Sequence, residues 1–269
     1  MLEWAVIALT VLGGQAQAED EPYVLPEIEI QARAGDPLAR FVSDVTTPGE
    51  GSRFLGQIAR WDHELCVTVT GASAEANTYL AEEIRANFRS LDIPHAEEGC
   101  SPTAAVLITS DSDALAEAFV AGMRHSLFQR RHEAIQQFLG PTRPVRWQRY
   151  TRTNQQALPN TRLRLGTTRT TEHAIVVVDV EGAASASLEA LAAYLAFVAV
   201  VDLPSEPSAA DQRSILSLFN EELEDRPHAL TAWDRAFIGA LYEIEPNAPF
   251  RLQQNELAHR MRQALEKTE

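Results

Sequence analysis

The side chains that carry chemistry are few and scattered. The chain has seven histidines: His63, His95, His125, His132, His173, His228 and His259. No two stand at the four-residue spacing that puts both imidazoles on one helical face for zinc. His132-Glu133 begins such a motif, but Gln136 occupies the second histidine position. His125 and His132 share a face if one helix carries both, and no third ligand accompanies them. There is no glycine-rich phosphate loop and no Gly-x-Ser-x-Gly elbow. No catalytic, cofactor-binding or metal-binding residue is therefore assigned. Acid–base pairs need only meet in space. The carboxylates best placed for that are Asp179, after the run Ile175-Val176-Val177-Val178, and Asp202, after a long apolar segment. The ordinary role for each is a helix cap or a loop hydrogen bond.

Charge narrows the ligand classes. The formal net charge is −15, which repels phosphate backbones and argues against nucleic acid as a partner. Against that background, Arg143, Arg146, Arg149, Arg152, Arg162, Arg164 and Arg169 crowd into one window. The cluster suits an anion or the protein's own acidic face; a solvated hairpin is the plainer alternative.

The chain offers only two cysteines, Cys66 and Cys100. An even, low count in an exported protein favours a disulfide. Export is read from the amino terminus. Trp4 to Leu12 is apolar, Gly13-Gly14 follows, and Ala16-Gln17-Ala18 has the small-x-small form of a cleavage site. The run is shorter than the roughly 20 residues of a membrane span, so no transmembrane segment is expected in the mature chain. Glu3 and the lack of an early Lys or Arg depart from the usual positive start.

The expected organisation is a signal over 1–18, a flexible linker over 19–53 broken by Pro22, Pro26, Gly35 and Pro37, and a single α+β domain over 54–269. Leu65–Thr70 is rich in β-branched residues and predicts a strand. Apolar residues every three or four positions predict a helix over Ala74–Leu91 with Ser73 as its cap. Ala104–Thr109 predicts an internal strand. If the two strands are parallel neighbours, the helix is their crossover and both cysteines lie at one sheet edge. Helices are expected over Ala114–His125, Gln129–Leu139 and Gln253–Glu266, and strands over 145–150, 161–166 and His173–Val180. Leu188–Leu203 is apolar on nearly every side, which predicts a buried central helix. Thr231 and Asp234 form a near capping box for another helix.

The tail carries a resemblance. Ser214-Ile215-Leu216, then Leu230-Thr231, Asp234, Ile238 and Leu241-Tyr242, resemble the turn and following helix of the metzincin zinc metallopeptidases. Val178-Asp179 resembles their strand before the active-site helix. The chain also resembles uncharacterised secreted proteobacterial proteins with the same strand–cysteine pattern and closing helix, for which no activity is implied. The resemblance implies a mixed sheet with a crossover helix, a buried central helix and carboxy-terminal helices. It also locates what is missing. In the metzincin helix motif the ligand positions fall on Ala192, Ala196 and Asp202, the general base on Ala193, and the turn methionine on Leu216. Two alanines cannot bind zinc. The expectation is a non-catalytic periplasmic or secreted module for binding or envelope interaction. The alternative is a peptidase-like hydrolase with an atypical carboxylate or metal site.

Overall fold

The computed structural model describes residues 35–49, 55–97, 99–125, 128, 132–140, 143–204, 207 and 213–267. The expected signal and the first part of the expected linker lie outside the described residues.

Regular structure is present ahead of Phe54. Helix α1 (Pro37–Asp44) falls inside the stretch read as linker. Pro37 opens it, and the Asp36 carboxylate accepts from the Leu38 N–H at 3.0 Å. Its apolar residues Leu38, Phe41 and Val42 are buried; Phe41 meets Trp233 and Phe237 edge-on. Gly35 stands just before, and Pro37 at the start of, a short helix that docks by three side chains, too few for a clear periodicity.

Strand β1 (Val67–Thr70), helix α2 (Ala74–Ser90) and strand β2 (Ala104–Thr109) form the expected unit, with β1 parallel to β2. Ser73 caps α2 by accepting from the Ala76 N–H at 3.2 Å. At Gly71, φ is +105° and a Cβ would lie 2.0 Å from the Ile108 carbonyl oxygen, so the turn out of β1 requires glycine. Cys66 stands just before β1 and Cys100 shortly before β2, with Cα atoms 5.9 Å apart and sulfurs at bonding distance. The crossover brings together two positions 34 residues apart in sequence.

Helices α3 (Ser112–Met123) and α4 (His132–Leu139) follow, then strands β3 (Val145–Gln155) and β4 (Thr167–Asp179). The sheet order is β1-β2-β4-β3, with β4 parallel to β2 and antiparallel to β3. Sequence periodicity placed strands at 145–150 and 161–166. Instead β3 runs on through the polar segment Thr151–Gln155 and pairs with Thr167–Thr171. These residues are polar, with threonines as their only β-branched members, so an apolar pattern passes over them. Leu163 is exposed in the connection, and Leu165 is buried but donates its N–H to the Asn247 carbonyl at 2.7 Å.

The sheet is covered on both faces. Val145, Ala174, Val176 and Val178 join the main core; Ile175 and Val177 face a second cluster built with Ala116, Val120, Phe128, Ile135 and Phe138. This is why Ile175–Val178 is a continuous apolar run. Asp179 caps the short helix α5 (Val180–Ala183). Helix α6 (Leu188–Val200) then crosses the core, and every residue from Ala190 to Val200 is buried. Its alanines let neighbours come close: Trp61 Nε1 donates to the Ala199 carbonyl at 2.9 Å.

A 3-10 turn (Ile215–Phe219) and helices α7 (Ala232–Glu243) and α8 (Phe250–Glu266) complete the molecule. Thr231 and Asp234 form a full capping box on α7. The same carboxylate accepts from Ser214 Oγ at 2.7 Å and from the Ile215 N–H at 2.8 Å, which locks the turn to the helix. Among the described residues, no helix is long and apolar enough to cross a membrane.

Candidate anion-binding cleft

In β3 alternate side chains point to opposite faces. Val145, Trp147, Arg149 and Thr151 share a parity, and Val145 and Trp147 belong to the main core on the α6 side. Arg149 is thus carried to the inner face. Strand β4 adds a second arginine through an irregularity. Tyr150 pairs with His173, but Thr151 pairs with Thr171, leaving Glu172 as an extra residue. A bulge of this kind switches the parity beyond it. It puts Thr171 and Arg169 on the face of Arg149 rather than the opposite one.

Arg169 is fully engaged. Its guanidinium donates to Asp202 Oδ2 at 2.8 Å, to Thr151 Oγ1 at 2.8 Å and to the Gln57 carbonyl at 3.3 Å. Gly49 makes room for it: φ there is +66° and a Cβ would sit 2.1 Å from Arg169 Cζ. The Arg169–Asp202 pair is buried, with side chains 8% and 7% exposed. Asp202, beyond the end of α6, therefore serves as an ion-pair partner.

Arg149 is not engaged. It is 5% exposed, and none of its Nε, Nη1 and Nη2 atoms has a hydrogen-bond partner. Burial pulls its pKa down to about 10, with nearby Asp202 and Tyr242 opposing that and Arg169 adding to it. Two guanidinium charges stand against one carboxylate, so the Arg149–Arg169–Asp202 group keeps one positive charge. A buried donor left without a partner costs about 1–3 kcal/mol, and more when charged.

These residues border a cavity of about 620 Å³. Trp147, Gln148, Arg149 and Thr151 of β3 and Arg169 of β4 form its base. His132, Glu133, Ala134 and Gln137 of α4 form one wall, and Asp202-Leu203-Pro204 with Thr47 and Gly49 the other. Arg149 lines this cleft while its guanidinium nitrogens are themselves covered, so an anion meets them only where the lining gives way; charge-assisted bonds to a desolvated guanidinium are strong, and planar groups are held by two.

The remaining arginines disperse. Arg146 is buried, ion-paired to Asp113 and bonded to the Phe138 and Gly140 carbonyls at 3.0 and 3.2 Å. Arg152 pairs with Glu172 at 3.3 Å and Arg164 with Glu245 at 3.6 Å, while Arg162 is exposed. The window is not one patch: strand parity sends Arg146 and Arg152 to the face opposite Arg149, and Arg162 and Arg164 lie in the β3–β4 connection. Asp179 is a cap, accepting from the Gly182 N–H at 2.8 Å. His125 follows the end of α3 and His132 opens α4, so the two do not share a helical face. His132 and Glu133 do reach the cleft. Ala192, Ala193 and Ala196 are buried inside α6, and Leu216 is buried in the 3-10 turn. Among the described residues, no group of three or more His, Cys, Asp and Glu side chains is placed to hold a metal ion. Sequence reasoning did not single out Arg149 from its neighbours; the available signal was its parity with Trp147. Compared with protein-family models, curated proteins and solved structures, the chain matches none.

Proposed function

We propose that this chain is a non-catalytic, exported binding module of metzincin-like architecture whose cleft captures an anion-bearing ligand. The observation that carries the reading is Arg149: a buried guanidinium, unpartnered on all three nitrogens, at the base of a cavity. The metzincin-like part rests on element order, a parallel crossover unit followed by an antiparallel edge strand, a central helix and a capped helix after a tight turn. Binding is favoured over hydrolysis because Asp202, the carboxylate best placed for acid–base work, is held by Arg169. Export accords with the Cys66–Cys100 disulfide.

The test is a thermal-shift titration of the mature protein with acetate, phosphate and sulfate. A ligand at about 100 times its Kd adds about 2.7 kcal/mol to stability. At least one anion should raise the Tm of the parent and leave Arg149→Met unmoved. If no anion shifts the parent, or if parent and variant shift alike, the cleft is not an anion site.

A further inference from the structure

Among the described residues, the most exposed large apolar side chains gather at one end of the molecule. They are Leu55, Leu158 and Leu163, at 64%, 51% and 68% exposure. Long-range bonds bring them together. Gln57 Nε2 donates to the Thr167 carbonyl at 2.8 Å and to the Pro246 carbonyl at 3.1 Å. The Phe250 N–H donates to the Gly56 carbonyl at 2.9 Å, and the Leu165 N–H to the Asn247 carbonyl at 2.7 Å. Leu55 and the β3–β4 connection (156–166) therefore border the same corner between α7 and α8. Val180 and Leu188, also exposed, follow the opposite end of β4. Single exposed leucines are ordinary on a protein surface; a group of them at one end marks an interaction site. The connection that carries two of them is braced. Gln156 N–H donates to the Gly166 carbonyl at 2.8 Å, Thr161 N–H to the Arg164 carbonyl at 2.7 Å, and Gly166 N–H to Asn160 Oδ1 at 2.6 Å. Its leucines are displayed on a preset backbone, so a contact made by them costs little ordering.

Charge selects the partner. No Asp or Glu stands between Glu133 and Glu172, in a chain of net charge −15. At the patch Arg162 is exposed and has no ion pair among the described residues, and Arg164, also exposed, reaches Glu245 only at 3.6 Å. A second copy of the chain fits poorly. A two-fold contact sets a patch against itself, which repeats the arginines on both sides and joins two bodies of like charge. A peptide needs a groove, whereas side chains more than half exposed stand out from the surface. A bilayer interface takes protruding apolar side chains without matching their shape, and its phosphates accept from guanidiniums. We infer that this end of the molecule docks on a bilayer that carries anionic lipid. Leu55, Leu158 and Leu163 enter the boundary between headgroups and acyl chains, and Arg162 and Arg164 meet the phosphates. The acidic remainder of the body is repelled, which fixes the orientation. None of these residues lines the Arg149 cleft.

The experiment is co-sedimentation of the mature protein with vesicles of phosphatidylcholine alone and of phosphatidylcholine mixed equally with phosphatidylglycerol. The parent should sediment with the mixed vesicles and not with phosphatidylcholine alone. Leu158→Ser combined with Leu163→Ser should weaken binding about ten-fold or more, because two leucines no longer enter an apolar layer. Arg162→Gln should weaken it about five-fold, the worth of one basic residue near an anionic surface. Leu188→Ser, at the other end of β4, should leave it unchanged. All of these side chains are exposed, and circular dichroism with a thermal melt checks that each variant is folded. The assignment is overturned if the parent sediments with neither vesicle, which leaves an acidic protein as the partner, or equally with both. It is also overturned if the leucine or the Arg162 variant binds like the parent, or if Leu188→Ser weakens binding as much as the leucine pair does. A parent dimer in the ultracentrifuge that the leucine variant dissociates would overturn it too, since the patch then joins two copies of the chain.

Discussion

Arg149 sets a conflict between stability and recognition at the scale of a single residue. A buried cation without a partner opposes folding, so its removal should help the ligand-free protein. Arg149→Met, similar in length and apolar, is expected to raise stability by about 1–3 kcal/mol, the cost of the orphaned donors that it removes. A thermal melt with no ligand present measures it; a fall in Tm would mean that the guanidinium has a partner in solution. Asp202 should behave in the opposite way. Asp202→Asn leaves two buried guanidiniums uncompensated and should cost about 3–5 kcal/mol. The pH dependence has a definite sign. Burial pulls the Arg149 pKa to about 10, while Asp202, Arg169 and Tyr242 supply the charges acting on it. The charged form that receives an anion is complete below that value and is lost as pH rises through it. Anion affinity should therefore hold near neutrality and decline above about pH 10.

At the scale of elements, α6 and the α7 cap bear the architecture. Ala196 is 1% exposed in the middle of a helix whose central residues are all buried. Ala196→Asp places an unpaired carboxylate there and should cost several kcal/mol of a total that is typically about 5–15 kcal/mol. A variant that melts like the parent would show that this helix face is wet. Thr231→Ala removes the hydroxyl that accepts from the Asp234 N–H at 3.1 Å and should cost about 1 kcal/mol. Helices α2, α3 and α7 were legible in the sequence because each buries a stripe with a 3.6-residue period and begins at a recognisable cap, Ser73, Asp111 or Thr231. The β3–β4 hairpin was less legible. Its outer half is Thr, Arg, Asn and Gln, which pair as strands without an apolar alternation to announce it.

At the scale of the whole molecule, the disulfide closes the crossover unit and should contribute about 4 kcal/mol by loop-closure entropy. Reduction, or Cys66→Ser with Cys100→Ser, should lower stability by that amount in a chemical denaturation curve. Several features of this architecture were settled by local pattern alone. The elements β1, α2 and β2 and the buried α6 follow from periodicity and capping, which act over a few residues, whereas the parallel pairing of β1 with β2, and with it the meeting of Cys66 and Cys100, is a property of the sheet. The cleft was not settled by local pattern either. Arg149 and Arg169 are twenty residues apart and Asp202 lies farther still; parity with Trp147 separates Arg149 from Arg152, but nothing local brings Arg169 or Asp202 beside it. They meet because β3 and β4 fold back on each other, because the extra residue at Glu172 turns Arg169 to the inner face, and because α6 delivers Asp202 beside it. Which arginine is paired and which is left bare depends on that register and on burial, both properties of the assembled sheet, so only the tertiary structure decided it.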